Sequence, residues 1–105
     1  PVYDDGRLCV DLAAHAVTLD GASLALSRKE FALLAQLVRQ PGRVLTQSQL
    51  LREIWGPTHV EDAHYLRILV GKLRHKLGDD AAAPRYIVTE PGVGLRFIGH
   101  EAGTR

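Results

Sequence analysis

The chain is poor in the features that mark secreted, membrane-spanning and strongly basic proteins. Its 105 residues include a single cysteine, Cys9, which excludes an internal disulfide framework and fits a reducing compartment. No apolar run approaches the ~18 residues that a membrane-spanning helix needs. Methionine is absent, so we expect a piece of a longer chain, with removal of an initiator methionine as the alternative. The length suits one modest core, and we predict a single domain over residues 1–105.

An excess of charge of one sign is also missing from the chain as a whole. The formal net charge is only +1, which by itself favours no nucleic-acid partner. The distribution is more informative, because residues 64–76 contain cations and histidines but no acid. These residues are His64, Arg67, Lys72, Arg74, His75 and Lys76. Such a local cluster indicates an anionic partner for this segment.

The pattern predicts strands first, then three helices, then a hairpin. Short alternating patches in residues 7–26, broken by the turn dipeptide Asp20-Gly21, predict three strands of a small antiparallel sheet. Ser27 and Thr46 begin the capping-box patterns "SRKE" and "TQSQ", and each predicts the start of a helix. These two helices are predicted to end at Pro41-Gly42 and at Gly56-Pro57.

A third helix and a hairpin complete the predicted elements. The helix spans residues 61 or 62 to 77, and Gly78 is its predicted C-terminal cap. Residues 86–89 and 95–98 are predicted to pair across a Pro-Gly turn region. The domain is therefore expected to divide into a sheet (1–26), a helical part (27–78) and a hairpin (85–99).

The third helix has two chemically different faces. At ~100° per residue, an apolar stripe falls on one side and is predicted to be buried. The stripe consists of Leu66, Leu69, Val70, Leu73 and Leu77. The opposite side carries His64, Ile68, Gly71 and His75, with Arg67 and Arg74 along one edge and Tyr65, Lys72 and Lys76 along the other.

This opposite side suits the major groove of DNA. Gly71 costs roughly 1 kcal/mol relative to alanine inside a helix, but it lets another surface approach closely. Ile68 can meet a thymine methyl group, while the flanking cations bind phosphate. The alternative is a basic, solvated helix whose Gly71 packs against a neighbouring element. The hairpin downstream favours DNA, because a helix beside a hairpin that reaches the next groove forms a winged helix.

Three segments carry a family resemblance: "LSRKEFALLAQLVRQPGRVLTQSQLLREIWG", "HYLRILVGKLRHKLGDD" and "RYIVTEPGVGLRF". They resemble the C-terminal winged-helix effector domain of OmpR/PhoB-type bacterial response regulators. The resemblance implies an α+β winged helix-turn-helix with a four-stranded N-terminal antiparallel sheet, three helices and a C-terminal β-hairpin wing. Within the family, "REIWGPTHVEDAHYLRI" is most similar to regulators of potassium transport.

The resemblance also implies a function and a set of partners. The function is sequence-specific binding of double-stranded DNA that controls transcription, for the subgroup that of a potassium-transport operon. A receiver domain absent from this chain would be phosphorylated by a sensor histidine kinase and would dimerise on direct-repeat half-sites, whereas the isolated domain is expected to be monomeric. RNA polymerase is a further implied partner, and the location is cytoplasmic. The alternative is a winged-helix protein-interaction module with weak, non-specific affinity for DNA.

The family's functional positions carry over onto particular residues. The recognition-helix positions are His64, Tyr65, Arg67, Ile68, Gly71, Lys72, Arg74 and His75. The phosphate-backbone positions are Thr46, Gln47 and Trp55, and the wing positions are Thr89, Gly92 and Arg96. The loop that meets RNA polymerase consists of Gly56, Pro57, Thr58, His59, Val60, Glu61 and Asp62.

Some positions depart from the family pattern or have a simpler interpretation. Several relatives carry an arginine at the position of Gly71, so base readout differs there. Pro91 stands where some relatives have an arginine, which predicts a weak grip of the wing on the minor groove, and Leu95 replaces the usual tyrosine. The simpler interpretations are Trp55 as core, Thr46 as a helix cap alone, Arg67 and Lys76 as solvated charges, Tyr65 as packed under the helix and Arg96 as a structural residue.

Catalysis, metal binding and cofactors are not expected. His59 and His64 lie five residues apart without a nearby cysteine, which is poor zinc spacing. Gly92-Val93-Gly94 is not a dinucleotide fingerprint, because no helix is predicted to follow it. No motif sets a nucleophile beside a base, and Cys9 is predicted to be inert core.

Overall fold

A computed structural model describes residues 2–100 and gives the predicted order of a four-stranded sheet, three helices and a hairpin, with one additional strand between the first two helices. The strands and helices are β1 Val2–Asp4, β2 Leu8–Asp11, β3 Ala16–Leu19, β4 Ala22–Ser23, α1 Arg28–Arg39, β5 Val44–Thr46, α2 Gln47–Trp55, α3 Ala63–Leu77, β6 Ile87–Glu90 and β7 Gly94–Phe97. The architecture is the α+β winged helix-turn-helix that was predicted. Among residues 2–100 no helix has both the length and the apolar character to cross a membrane.

The N-terminal sheet is antiparallel throughout, with strand order β1-β2-β3-β4. The four strands implied by the family resemblance are confirmed, whereas the residue pattern predicted three strands within residues 7–26 and missed β1, which lies outside that range. Asp20 and Gly21 form the predicted turn between β3 and β4, and both have positive φ, 52° and 81°. The prediction that Cys9 is core is wrong: Leu8 and Val10 are buried, and the alternation of a strand leaves Cys9 half-buried on the other face.

The predicted capping box is complete at the start of α1, whereas α2 begins with the N-cap bond alone, without the reciprocal bond from the Gln49 side chain. The Ser27 hydroxyl accepts a hydrogen bond from the Glu30 N–H at 3.1 Å, and the Glu30 carboxylate accepts one from the Ser27 N–H at 2.9 Å. The Thr46 hydroxyl accepts one from the Gln49 N–H at 3.1 Å. These bonds satisfy backbone donors that the first turn of a helix leaves free.

The wing is a three-stranded sheet, because the unpredicted strand β5 pairs with β7 in the order β5-β7-β6. Thr46 lies opposite Gly94 in this pairing. Since β5 ends at Thr46 and α2 begins at Gln47, the strand leads directly into the helix. The two backbones are so close that a Cβ atom on Gly94 would lie 1.9 Å from the Leu45 carbonyl oxygen. Glycine is therefore required at this position.

The core forms where the apolar stripe of α3 meets α1, α2 and both sheets. All five predicted stripe residues are buried. The aromatic rings of Tyr86 and Phe97 fill the space beneath the wing, and Tyr3 from β1 packs edge-on against Phe97 with ring centroids 5.1 Å apart. Arg7 fastens the N-terminal sheet to the end of α3 by donating to the Leu77 carbonyl at 3.1 Å and the Tyr86 hydroxyl at 3.4 Å.

Candidate nucleic-acid interface

The outer surface of α3 is open along the length of the helix. Four residues decide whether this surface can meet a partner, and all four are exposed: Arg67, Ile68, Gly71 and Lys72. A Cβ atom built on Gly71 meets nothing within 4 Å. The alternative in which Gly71 packs against a neighbouring element is therefore wrong. His64, Tyr65 and His75 are exposed on the same helix.

The apolar residue at the centre of this surface is unusual for a solvated helix. Ile68 is 45% exposed, although an isoleucine side chain gains free energy when it leaves water. Gly71, which has no side chain, leaves the backbone of the helix accessible on the same surface. A surface with a small apolar centre and cationic edges matches the distribution of base edges and phosphates in a major groove.

The cations of α3 fall into two groups. Lys76 donates to the Glu30 carboxylate at 2.6 Å and to the Ala25 carbonyl at 3.0 Å. Arg74 donates through Nη2 to the Ile87 carbonyl at 2.9 Å and to the Thr89 hydroxyl at 3.0 Å. Lys76 and Arg74 form the first group, because both donate to partners within the protein.

The second group is free to bind a ligand. Arg67 and Lys72 take part in no ion pair within residues 2–100. They lie on opposite edges of α3, so together they can reach both sides of a groove. A DNA contact by Arg74 stays a prediction, and a substitution there would also release the wing from α3.

The ion pair between Lys76 and Glu30 joins α3 to α1. The Glu30 side chain is 5% exposed, and its carboxylate closes the capping box of α1. Burial alone raises the pKa of this carboxyl, but hydrogen bonds from Lys76 and the Ser27 N–H outweigh burial, so the pKa lies below its ordinary value. The pair therefore holds α1 and α3 together at neutral pH.

Replacing this carboxylate is expected to destabilise the domain in a pH-dependent way. A carboxyl whose pKa is lowered by folding contributes stability above its unfolded pKa, near 4.5, and loses it as the pH falls through the lower folded value. Glu30→Gln should lower the free energy of unfolding by about 1–3 kcal/mol at neutral pH, and the difference from the unmodified protein should shrink in acid. Urea denaturation across this pH range measures both effects. Glu53→Gln, at an exposed position in α2, is the control, and a pH-independent loss would contradict the assigned role.

Trp55 connects α2 to α3 at one edge of the surface. Its half-buried indole stacks on Tyr65, with ring centroids 6.1 Å apart and an interplanar angle of 26°. No side-chain hydrogen bond within residues 2–100 uses the Trp55 N–H or the Tyr65 hydroxyl. Trp55 thus packs against the core, as one interpretation predicted, and its N–H remains available. Its contact with phosphate stays a prediction.

The wing lies against the other edge of α3. Thr89 is exposed, and Gly92 has a φ of +73° in the turn between β6 and β7. Arg96 is half-buried and donates to the Glu90 carboxylate through Nε at 3.1 Å and Nη2 at 2.8 Å. The structural interpretation of Arg96 is supported by this pair, whereas its contact with DNA stays a prediction.

The start of α2 docks against the turn of the wing. The Gln47 N–H donates to the Val93 carbonyl at 3.1 Å, and the Thr46 hydroxyl is used by the Gln49 N–H. A small cleft of about 80 Å³ brings Gln47 together with Arg67, Arg74 and Thr89. Predicted phosphate, helix and wing positions therefore meet at one place.

The loop between α2 and α3 is partly ordered by local contacts. Pro57–His59 form one turn of 3-10 helix, and the His59 Nδ1 lies 2.9 Å from an Asp62 carboxylate oxygen. Pro57, Thr58 and Glu61 are exposed. The contact of this loop with RNA polymerase stays a prediction. Within residues 2–100 no cluster of metal-ligating side chains occurs.

Two cations near this surface were not predicted as site residues. Arg28 and Lys29 are exposed in the first turn of α1, and the Lys29 ammonium lies 5.9 Å from the centre of the Trp55 ring. In the sequence they lie inside the "SRKE" capping box, far from α3, so the local pattern indicated a helix start and not a shared surface.

The helix with its cationic outer edges, set beside a β-sheet wing, defines a winged helix-turn-helix domain. The family model described as "Transcriptional regulatory protein, C terminal" matches residues 21–97. The chain belongs to this family, and the OmpR/PhoB-type resemblance drawn from the sequence is confirmed.

Individual relatives give the same assignment. The chain is 47% identical over 98 residues to the KDP operon transcriptional regulatory protein KdpE of Escherichia coli strain K12, covering 93% of this chain and 44% of the relative. It is 40% identical over 97 residues to the transcriptional regulatory protein KdpE of Mycobacterium tuberculosis strain H37Rv, covering 92% and 43%. The chain thus spans less than half the length of these curated relatives.

Solved structures share the fold. The RstA DNA-binding domain of Klebsiella pneumoniae in complex with the RstA box is similar with a TM-score of 0.84 and 29% identity, covering 94% of this chain and 98% of that one. The response regulator DrrB of Thermotoga maritima, an OmpR/PhoB homologue, is similar with a TM-score of 0.81 and 35% identity, covering 93% and 44%.

Proposed function

We propose that this chain binds double-stranded DNA sequence-specifically, as the output domain of a response regulator that controls transcription. The observation that carries the proposal is the open surface of α3, where Arg67, Ile68, Gly71 and Lys72 are exposed together. The similar RstA domain was solved in complex with the RstA box, which supports the same class of ligand here.

The dimensions and chemistry of α3 suit the major groove. An α-helix with its side chains is about 10–12 Å across, and the groove of B-form DNA is about 12 Å wide. Gly71 lets the helix backbone approach the base edges, and Ile68 is placed to meet a thymine methyl group. Arg67 and Lys72, on opposite edges, reach toward phosphates or outer base atoms. Because Arg74 binds the wing to α3, helix and wing approach the duplex as one unit.

The full-length protein is proposed to act as its relatives' names suggest. KdpE of Escherichia coli is a KDP operon regulator, and we extend control of a potassium-transport operon to this chain. A receiver domain, a sensor histidine kinase, direct-repeat half-sites, and RNA polymerase contacted through residues 56–62 belong to the same proposal. We also propose that the isolated domain is monomeric and that the protein is located in the cytoplasm.

Selection of bound sequences from randomised duplex DNA tests the proposed function. We expect enrichment of a defined motif, and tighter binding when two copies are arranged as a direct repeat. Exposed Tyr65 and Ile68, with a net charge of +1, are the features that would also serve a protein-interaction module. Binding that decays with salt and enriches no sequence would favour that module and overturn the proposal.

Lys72→Ala is expected to weaken DNA binding on every sequence alike. Lys72 lies at the edge of α3 and forms no ion pair within the described residues, so we expect it to contact a phosphate. The logarithm of the binding constant falls linearly with the logarithm of the salt concentration, and losing one phosphate contact makes this dependence less steep by about 0.9. Fluorescence anisotropy titrations at several salt concentrations measure this slope, and Lys72→Arg should restore it. A loss confined to one base position would instead identify a base contact, and no change at all would remove this edge from the interface.

A further inference from the structure

An open cleft of about 440 Å³ lies between α1, the end of α2 and α3, on the edge of α3 that faces away from the wing. Three elements contribute to its lining. Arg28 and Lys29 come from α1, Trp55 from α2, and Tyr65, Ile68 and Lys72 from α3. The last three belong to the recognition helix, so the cleft is continuous with the proposed DNA surface.

Trp55 and Tyr65 form an aromatic pair in the cleft, and the ammonium group of Lys29 lies near it. Trp55 stacks on Tyr65, and the Lys29 ammonium lies 5.9 Å from the centre of the Trp55 ring. A cation at this distance is attracted to the electron-rich face of an indole. The Lys29 ammonium therefore lies beside Trp55 in the cleft that Tyr65 and Lys72 also line.

Within the described residues, the cleft offers three cations outside any ion pair and no unpaired carboxylate. Arg28, Lys29 and Lys72 form no ion pair within residues 2–100. The acid in the lining is Glu30, whose carboxylate already accepts hydrogen bonds from Lys76 and from the Ser27 N–H. A surface of this kind is complementary to a polyanion with regularly spaced phosphates.

The position of the cleft favours a DNA strand as its occupant. A helix that fills a major groove has one phosphate strand along each of its edges, because groove and helix are of similar width. The strand on the Arg67 edge meets the wing and the start of α2. The strand on the Tyr65 and Lys72 edge passes over the cleft and comes within reach of α1.

We infer that Arg28 and Lys29 of α1 bind phosphates of the DNA strand that passes over the Tyr65–Lys72 edge of α3. The inference rests on the proposed function. It extends the backbone contacts beyond α2, α3 and the wing to a helix that neither the sequence nor the family resemblance indicated. It also gives a DNA-binding role to two of the cations of a chain whose net charge is only +1.

Single substitutions matched in charge test this inference. Arg28→Gln and Lys29→Gln are compared with Arg39→Gln, which removes the same charge from an exposed position at the other end of α1. Salt-dependent anisotropy titrations use a labelled duplex that carries two selected half-sites, and a second duplex of random sequence. Each cleft variant should lower the salt slope by about 0.9 on both duplexes, and Arg39→Gln should leave it unchanged. Circular dichroism establishes that every variant is folded.

Other outcomes separate the inference from the proposed function. If Arg28→Gln and Lys29→Gln keep the full salt slope while Lys72→Ala lowers it, the cleft inference is overturned and the proposed function stands. If the unmodified protein selects no DNA sequence, the proposed function fails, and the inference fails with it. A parallel titration uses an oligoglutamate peptide. Weaker peptide binding by the cleft variants with unchanged DNA slopes would assign the cleft to an acidic protein segment and overturn the inference.

Discussion

Gly71→Glu is expected to abolish specific DNA binding in a domain that is as stable as the unmodified protein or more so. The space around Gly71 is open, since a Cβ atom there meets nothing within 4 Å. Glutamate is favoured over glycine in a helix interior by roughly 0.5–1 kcal/mol. In the groove, however, a carboxylate would face base edges and phosphates, and a like-charge contact of this kind costs several kcal/mol. The expected loss of affinity is about 100-fold or more.

Two matched variants separate the causes of this loss. Gly71→Gln adds the same bulk without the charge, and Gly71→Ala adds one methyl group. Both should raise the free energy of unfolding, measured in urea, while DNA affinity measured by anisotropy falls in the order alanine, glutamine, glutamate. If Gly71→Glu bound the selected duplex as tightly as the unmodified protein, the centre of α3 would not face DNA.

Gly94→Ala is expected to cause the largest loss of stability among single methyl additions. The new Cβ atom would lie 1.9 Å from the Leu45 carbonyl oxygen, 2.8 Å from the Leu45 carbonyl carbon and 2.9 Å from the Thr46 Cα. All three are backbone atoms, so no side-chain rotation relieves the clash. The β5–β7 pairing must open, and Thr46, which caps α2, moves with it. We expect a loss of about 3 kcal/mol or more, a large part of the stability of a small domain.

The same chemical change at Gly71 is the control for Gly94→Ala. Both substitutions add one methyl group to a glycine, one against backbone and one in open space, so their effects on the urea midpoint should have opposite signs. Gly94→Ala should also weaken DNA binding, because the wing and the start of α2 would separate. A midpoint for Gly94→Ala equal to that of the unmodified protein would show that β5 is not held against β7.

The surface of α3 could be predicted from the sequence because its determinants are local. The 3.6-residue period separates the buried leucines from Ile68 and Gly71 without any knowledge of the rest of the fold. The caps at Ser27 and Thr46 were predicted for the same reason, since each depends on residues three positions apart.

Features that depend on distant partners were not predictable in this way. β5 has three residues and one buried side chain, Leu45, so it has no periodicity of its own, and only its pairing with β7 makes it a strand. The partners of Arg74 and Lys76 are 13, 15, 46 and 51 residues away. A pattern of charges therefore indicated an anion-binding helix, but could not show which cations the protein itself uses.

The bonds from Arg7 to the Leu77 carbonyl and the Tyr86 hydroxyl bear on how small this regulator could be made. Every residue proposed to touch DNA follows Ser27, which invites trimming of the first four strands. A domain without these strands would lose the hydrogen bond from the Arg7 guanidinium to the last turn of α3. It would also expose the apolar side chains that Leu8, Val10 and Val17 now cover. The N-terminal sheet therefore stabilises the DNA-binding part of the domain, and a shortened domain should retain it.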